Sequence, residues 1–195
     1  LESLCDRLIE VGWDLPWAGN ATVTRTLTGP VLEKLRRAGC DKLGFGFESF
    51  DDTVLRAMNK PYRAADVGRL LADLDAVGMD FFSNLILGHP AEGRREFAST
   101  VRFLIEHADR FTEPPTTSLL IIQRNTPLYR ERAEQGVEMD DGDALGWRLA
   151  DGSNDLAERK RRAQVLDFFY EALFGARIKI TDLDPDVDLS LPTGD

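Results

Sequence analysis

Apolar residues recur along this chain in two alternating patterns, one with the period of a helix and one as short continuous runs. The helical period predicts helices at 2–11, 64–77, 96–107 and 157–174. The apolar runs predict strands at 17–24, 42–48, 80–87 and 118–123. This alternation is typical of a parallel sheet or barrel. Four strands are too few to close an eight-stranded barrel, so we infer an α/β fold, an incomplete (β/α) barrel whose early strands are absent from this chain.

The same pattern divides the chain into three regions. Residues 1–136 hold the βα units, residues 137–180 form a C-terminal helical extension, and residues 181–195 form an acidic tail without Lys or Arg. A short strand fits residues 177–180, at the end of the extension. The basic run Arg159–Arg162 is interpreted as a solvated face of the extension's helix. The apolar face of that helix is predicted to consist of Val165, Leu166, Phe168, Phe169, Leu173 and Phe174.

Polar residues and glycines stand at or near the C-terminal ends of the predicted strands. These candidates are Asn20, Thr22, Thr24, Glu48, Ser49, Asn84, Gly88, Gln123 and Asn125. Because parallel strands bring their C-terminal ends to one edge, we expect the candidates to form one site. A carboxylate such as Glu48 accepts hydrogen bonds from an ammonium or a ribose hydroxyl, and glycines let a base approach the backbone. The set therefore suits a polar organic cofactor, and it lacks the residue combinations used in hydrolysis.

Each candidate also has a purely structural interpretation. Glu48 fits a helix cap or a partner of Lys60 or Arg56, and Ser49 fits an N-cap. The two asparagines fit hydrogen bonds to turn backbone. His89 has no catalytic partner in the sequence and is interpreted as structural. Catalytic residues therefore stay unassigned, and no metal ligand is predicted.

Composition and charge narrow the classes of function. The chain has 195 residues, of which 43% are hydrophobic and 30% charged, as in ordinary globular domains. Its net charge of -10 argues against a general nucleic-acid surface, which needs clustered Lys and Arg. No apolar run is long enough to span a membrane, so we expect no membrane partner and a cytoplasmic location. Cys5 and Cys40 lack metal or redox spacing and are expected to be buried thiols.

Several segments, taken in order, resemble one known family. These segments are Trp17–Asn20, Leu32–Cys40, Leu43–Ser49 (Leu-Gly-Phe-Gly-Phe-Glu-Ser), Val54–Lys60 and Asn84–Glu92 (Asn-Leu-Ile-Leu-Gly-His-Pro-Ala-Glu). Together they resemble the later half of a radical S-adenosylmethionine (SAM) core, over roughly residues 1–135. They are most similar to the branch that often carries an N-terminal cobalamin-binding domain. The segment Gln123–Tyr129 resembles the family's last barrel strand and loop.

The resemblance implies a partial (β/α) barrel of radical SAM type, with SAM lying across the C-terminal ends of the strands. It implies that Glu48, with Ser49 beside it, contacts the ribose or the aminoacyl end of SAM. It also implies that the backbone of Asn84–Gly88, which includes Leu87, touches the adenine. The polar positions of the other strands correspond here to Asn20, Thr22 and Gln123.

One departure from the family decides how the whole chain is interpreted. The three cysteines at Cys-x3-Cys-x2-Cys spacing that hold a 4Fe–4S cluster do not occur here. Because Leu1 also begins inside an amphipathic pattern, we interpret the chain as the C-terminal part of a radical SAM enzyme whose cluster ligands lie outside it. The full enzyme would generate a 5′-deoxyadenosyl radical and act on a small-molecule or natural-product substrate. Cobalamin-dependent methyl transfer and rearrangement are both open.

Two other interpretations stay open beside this one. A barrel that has lost its chemistry would act as a small-molecule binding module. A different βα-barrel enzyme, such as an aldolase or a phosphate-binding isomerase, would need a lysine at a strand end or a glycine-rich phosphate loop. Lys60 and Lys179 do not lie at predicted strand ends, so the second alternative is less favoured.

Overall fold

The computed structural model describes residues 1–176 and the two-residue strand Ile180–Thr181. The strands in these residues are β1 (Trp17–Ala21), β2 (Cys40–Glu48), β3 (Asp80–Leu87), β4 (Thr116–Leu119), β5 (Val137–Glu138), β6 (Arg148–Leu149) and β7 (Ile180–Thr181). The α-helices are α1 (Glu2–Glu10), α2 (Gly29–Arg37), α3 (Asp52–Ala57), α4 (Ala64–Val77), α5 (Arg94–Glu106), α6 (Pro127–Arg130) and α7 (Leu156–Phe174). A short 3₁₀ helix covers Ala108–Arg110. Residues 177–179 of the predicted last strand and the predicted acidic tail beyond Thr181 lie outside the described residues.

Five of the strands form one sheet in the order β1-β2-β3-β4-β7. Every neighbouring pair in this sheet is parallel. Helices connect the consecutive strands, with α2 before β2, α4 before β3, α5 before β4 and α7 before β7. The alternating βα order of a partial barrel is therefore confirmed.

The helix ends follow from residues that satisfy free backbone groups. The Asp51 side chain accepts hydrogen bonds from Thr53 N and Val54 N at the start of α3. Helix α4 ends at Gly78, whose φ of 62° is a left-handed conformation that favours glycine. Helix α7 begins at Asp155, whose carboxylate accepts from Glu158 N. These capping residues fix where α4 ends and where α7 begins.

The two faces of the sheet differ sharply in chemistry. On the face covered by helices, aromatic rings from neighbouring strands and helices form one cluster: Phe45, Phe47, Phe50, Phe81, Phe103 and Phe111. On the opposite face, β3 alternates exposed with buried residues, so that Phe82 and Asn84 point away from this core. We call this second side the open face, and it carries the polar strand residues discussed below.

Two strand boundaries differ from the prediction. Strand β1 ends at Ala21, so Thr22 lies in the loop beyond it and not in a strand. Strand β4 ends at Leu119, and Gln123 lies in a turn where its carbonyl accepts from Thr126 N. The chain leaves the sheet early here because Ile122 N bonds to Ala144 O and Trp147 packs with Ile122. The predicted C-terminal helical extension also contains the antiparallel pair β5–β6.

The apolar face predicted for α7 is right for Leu166, which is buried, and for Phe169 and Phe174, which pack against the core, but wrong for Phe168. Phe168 is 65% exposed, whereas Arg159 and Arg162 of the predicted solvated run are buried. Arg159, Arg162, Leu166 and Tyr170 follow one another at spacings of three or four, which places them on one side of the helix. The two arginines can be buried because each of them meets several oxygen acceptors, as described in the next section.

No helix in the described part of the chain is long and apolar enough to cross a membrane.

The orientation of α7 yields a stability prediction with an internal control. Replacing the buried Leu166 by Ala removes core packing, and we expect a loss of about 2–5 kcal/mol in the free energy of unfolding. Replacing Phe168 by Ala should change that free energy by less than about 0.5 kcal/mol because the ring is mostly in water. Urea unfolding of both variants measures the difference. A Phe168→Ala loss as large as that of Leu166→Ala would contradict this orientation of the helix.

Candidate functional site

The open face brings several predicted residues into register across three strands. Asn20 of β1 is paired with Gly44 of β2, which is paired in turn with Phe82 of β3. Two residues further along the strands, Gly46 is paired with Asn84. Asn20 and Asn84 are exposed, and their side-chain amides make no hydrogen bond to other residues in the described ranges. The amides are therefore available to an external ligand.

The two glycines of β2 create space that neighbouring side chains occupy. A Cβ atom at Gly44 would overlap the Phe82 ring and the Asn20 side-chain oxygen. A Cβ atom at Gly46 would lie 2.5 Å from Glu48 Oε1. Residues with side chains at these positions would push the ring, the amide and the carboxylate away from the sheet. The glycines therefore keep a shallow cradle in which all three groups lie close to the backbone.

Glu48 is held over this cradle by an unusual backbone. Its φ is 64°, a left-handed conformation that is uncommon for a residue other than glycine. The β2–β3 register also shifts between Gly46 and Glu48, as at a β-bulge. Lys60 Nζ donates to Glu48 Oε1 at 3.0 Å, and the Tyr62 hydroxyl donates to Gly46 O at 2.8 Å. Glu48 thus carries a strained, fixed carboxylate at the end of the strand, as functional residues often do.

The chain turns sharply where β3 ends, and the turn is hydrogen-bonded internally. Gly88 has a φ of 87°, and its N–H donates to Glu92 Oε1 at 3.2 Å. Ala91 N donates to Nδ1 of His89 at 3.1 Å. Both His89 and Glu92 are buried. We call residues 88–92 the β3 turn.

Two residues near the start of α7 donate hydrogen bonds to the β3 turn. Asn154 Nδ2 donates to Gly88 O at 3.0 Å and to His89 O at 3.2 Å. Arg162 Nη1 donates to Glu92 O at 2.7 Å and to Glu92 Oε1 at 2.9 Å. Every one of these residues is buried. A single loop therefore receives hydrogen bonds from donors that lie more than 60 positions later in the chain.

Arg159 supports this arrangement from behind Asn154. Its Nη2 donates to Leu145 O at 2.6 Å and to Trp147 O at 2.9 Å. Its guanidinium carbon lies 3.9 Å from the centroid of the Trp147 ring, a cation–π contact. A Cβ atom at Gly88 would overlap the aliphatic part of Arg159. The side chain therefore packs on the β3 turn and hydrogen-bonds to the region of the β5–β6 pair.

Burial shifts the pKa values of the groups around the β3 turn. It lowers the pKa of His89 to about 4, so the imidazole is neutral at pH 7. It raises the pKa of the Glu92 carboxyl, and the nearby charge of Arg162 opposes that rise. It lowers the pKa of Arg159 to about 10, which leaves the guanidinium charged at neutral pH. A neutral His89 can accept the hydrogen bond from Ala91 N, whereas a protonated ring could not.

The structure separates the predicted site residues into two groups. Asn20, Glu48 and Asn84 share the open face. Ser49 is turned to the helix side, where its hydroxyl lies 3.4 Å from Thr100 Oγ1 and accepts from Asp51 N. The other predicted residues lie away from the open face. Leu87 is buried in β3 and Gly88 is buried in the β3 turn, whereas Thr22 and Gln123 are exposed in loops. The contact between Glu48 and Lys60, which the sequence offered as a structural role, is present.

Sequence reasoning missed the residues that hold the β3 turn. Asn154 lies in a stretch rich in Asp and Gly that gives no periodic signal. Arg159 and Arg162 did carry a signal, because their spacing from each other and from Leu166 places them on the buried side of α7. Comparing that helical side with Leu166 and Tyr170 would have flagged both arginines.

Comparison with known proteins gives the family. A profile of the radical SAM superfamily matches residues 8–104, about half of the chain. The chain belongs to the radical SAM superfamily. The match covers β1, β2 and β3 with their helices, and it ends before the β5–β6 pair and α7.

Individual relatives of this radical SAM chain agree with that assignment. The chain is 25% identical over 120 residues to bacteriochlorophyllide d C-12(1)-methyltransferase of Chlorobaculum tepidum, which covers 61% of this chain and 26% of that protein. The solved radical S-adenosylmethionine methyltransferase TsrM from Kitasatospora setae has a TM-score of 0.57 at 17% identity, covering 83% of this chain and 34% of TsrM. Coproporphyrinogen III oxidase HemN from Escherichia coli has a TM-score of 0.52 at 20% identity, covering 81% of this chain and 35% of HemN. The radical SAM chain thus spans only about a quarter to a third of each relative's length.

The open face of the radical SAM chain fits SAM by the chemistry of its groups. Glu48 offers a carboxylate to an ammonium or a ribose diol, and Asn20 and Asn84 offer amide donors and acceptors. Phe82 is 37% exposed beside the glycine cradle and offers an apolar surface. Together these groups match the charged and aromatic parts of a nucleoside that carries an amino acid.

The residues of this chain do not fit a 4Fe–4S cluster. Such a cluster needs cysteine thiolates, and the chain has two cysteines in all. Cys5 and Cys40 are buried, and burial raises the pKa of Cys40 to about 11, which keeps its thiol protonated. Among the described residues, no group of three or more His, Cys, Asp or Glu could hold a metal ion. No chemical step is therefore assigned to a cluster ligand in this chain.

The protonation of His89 gives a pH prediction. The pKa of His89 is about 6.5 in the unfolded chain and about 4 in the folded chain, so its contribution to stability is present above pH 6.5 and is lost as the pH falls toward 4. Between pH 7 and pH 5 we expect His89 to cost the wild type about 2 kcal/mol of unfolding free energy. Urea unfolding at several pH values measures this slope.

The control is His89→Asn, in which Oδ1 can still accept from Ala91 N but does not titrate. Subtracting its pH dependence from that of the wild type removes the groups that both proteins share. Equal slopes for the two proteins would show that His89 is not kept neutral by the fold.

Proposed function

We propose that this chain provides the SAM-binding part of a radical SAM enzyme, with the open face holding SAM across the C-terminal ends of β1, β2 and β3. The observation that carries the proposal is the fixed carboxylate of Glu48 above the Gly46 backbone, beside two unpaired asparagine amides. Family membership supports the choice of SAM over other nucleosides.

In this proposal Glu48 recognises the polar end of SAM. Its Oε1 is bonded to Lys60, and a carboxylate has acceptor sites for further donors. A ribose hydroxyl or the SAM ammonium would therefore bind without displacing Lys60. Because the carboxylate is already held in place by its backbone and by Lys60, little ordering is needed when SAM arrives.

Asn20 and Asn84 flank Glu48 on the neighbouring strands and would orient the sugar and the amino acid. The glycines between them keep the backbone close to the ligand. These residues bind and orient SAM, and none of them is proposed to transfer a proton.

The radical chemistry would come from a 4Fe–4S cluster held by residues outside this chain, which supplies the electron that cleaves SAM to methionine and a 5′-deoxyadenosyl radical. This chain would fix the position of the SAM ribose relative to that cluster. A small misplacement of the ribose would slow cleavage strongly because the reaction depends on geometry.

Methyl transfer to a small-molecule or natural-product substrate is the reaction that the relatives favour. The curated relative from Chlorobaculum tepidum is a methyltransferase, and a second relative is an uncharacterized methyltransferase from Pyrococcus horikoshii that is 26% identical over 100 residues. We propose cobalamin as a further cofactor on the weaker ground that TsrM, a neighbour in fold, binds it. Reconstitution with and without cobalamin separates these two proposals.

The first experiment uses the protein at its full natural length, reconstituted with iron and sulfide without oxygen. We expect about four irons per chain and 5′-deoxyadenosine on addition of SAM and a reductant. Glu48→Ala should weaken SAM binding, measured by equilibrium dialysis, by about tenfold to a hundredfold, since it removes a charged hydrogen bond. The control Glu33→Ala removes an exposed carboxylate of α2 and should bind SAM as the wild type does.

Two results would overturn the proposal. Unchanged SAM affinity in Glu48→Ala would remove Glu48 from the site. Binding of SAM without iron uptake and without 5′-deoxyadenosine would instead favour a barrel that binds a small molecule and has lost the chemistry.

A further inference from the structure

The buried charged and polar groups around the β3 turn have a larger desolvation cost than a core built for stability alone would have. Arg162 and Glu92 have side-chain exposures of 3% and 2%, and they meet at 2.9 Å. Burying an ion pair has a large desolvation cost, and apolar replacements of similar size are often as stable or more stable. Asn154 and Arg159 are also almost completely buried. A core that served only packing would use apolar side chains at these positions.

The buried donors converge on one short stretch of backbone. Asn154 binds the carbonyls of Gly88 and His89, and Arg162 binds the carbonyl of Glu92. The Gly88 N–H is taken by Glu92 Oε1. Leu87 O, just before the turn, accepts from Leu120 N at 2.8 Å. These five hydrogen bonds therefore fix the path of the chain as it leaves β3.

The β3 turn is placed where such rigidity affects the candidate site. Strand β3 is the middle strand of the five-stranded sheet, and it carries Phe82 and Asn84 on the open face. Asn84 lies four positions before Gly88 and is paired with Gly46, over which Glu48 is folded. A shift in the β3 turn would move the end of β3, and with it the wall of the site opposite Asn20.

We propose that Asn154, just before α7, and Arg162, within α7, are positioning residues, which hold the β3 turn so that the end of β3 is ordered before SAM binds. The inference deepens the proposed function and rests on it. Arg159 acts through Asn154, because its Nη1 lies 3.4 Å from Asn154 Oδ1 and its stem fills the space beside Gly88. The affinity for SAM therefore depends on residues outside the segment 8–104 that matches the family.

The decisive variant is Asn154→Asp in the reconstituted protein at its full natural length. The replacement keeps the size of the side chain and gives Arg159 a carboxylate partner, but it removes the amide that donates to Gly88 O and His89 O. We expect SAM binding, measured by equilibrium dialysis, to weaken about tenfold, since the turn must then be ordered during binding. Hydrogen exchange of the amides in residues 88–92 should become faster before SAM is added.

Leu166→Ala is the matched control. It weakens the packing of the same helix, and the Leu166 side chain makes none of the hydrogen bonds to the β3 turn that are described above. Measured well below its melting temperature, it should bind SAM as the wild type does. A second variant, Glu92→Gln with Arg162→Met, removes both buried charges and keeps an oxygen for Gly88 N. It should melt near the wild type and still bind SAM about tenfold more weakly.

The outcomes separate this inference from the proposed function. Wild-type affinity in both Asn154→Asp and the double variant, with Glu48→Ala impaired, would overturn the positioning role alone. Equal losses of affinity in Asn154→Asp and Leu166→Ala would also overturn it, because a general loss of stability would then explain both. Failure of the wild type to bind SAM would overturn both proposals.

Discussion

The ion pair between Arg162 and Glu92 is the contact on which the site end of the sheet depends. Two opposite charges buried at 2.9 Å are tolerated only when their other polar atoms are also satisfied. Glu92 meets this condition by accepting from Gly88 N, and Arg162 meets it by donating to Glu92 O and to Glu158. Loss of Arg162 would leave the buried Glu92 carboxylate without this ionic partner, so the turn after β3 depends on the first half of α7.

A second constraint lies within β2, which must serve two opposite surfaces. Phe45 and Phe47 supply the aromatic core on the helix side, with ring centroids 5.5 Å apart. The residues between and beside them are Gly44 and Gly46, which leave room on the open face for side chains from other positions. Because phenylalanines and glycines alternate, β2 can pack its rings into the core on one face and still expose its backbone to a ligand on the other. Glu48 then needs its positive φ to fold back over the space that Gly46 leaves.

The sequence predicted what periodicity controls and missed what long-range contacts control. The parallel sheet, β3 and α4 followed directly from apolar spacing, and Glu48 was a candidate site residue because of its position at a strand end. The end of β4 was misplaced because Leu120–Ile122 is apolar but leaves the sheet to meet the region of Trp147. The burial of Arg159 depends on carbonyls of Leu145 and Trp147, which no local pattern reveals.

The position of the arginines in α7 argues for a role beyond the helix itself. Both lie within its first two turns, where the positive end of the helix dipole disfavours cations. Asp155 and Glu158 offset part of that cost, since Asp155 caps the helix and Glu158 pairs with Arg162. The remaining contacts of the two guanidinium groups go mainly to the β3 turn and to the carbonyls of Leu145 and Trp147, not to the helix. Apart from the pair between Arg162 and Glu158, the two charges do not stabilise the helix, so we infer that the order they impose on the end of β3 accounts for their unfavourable positions.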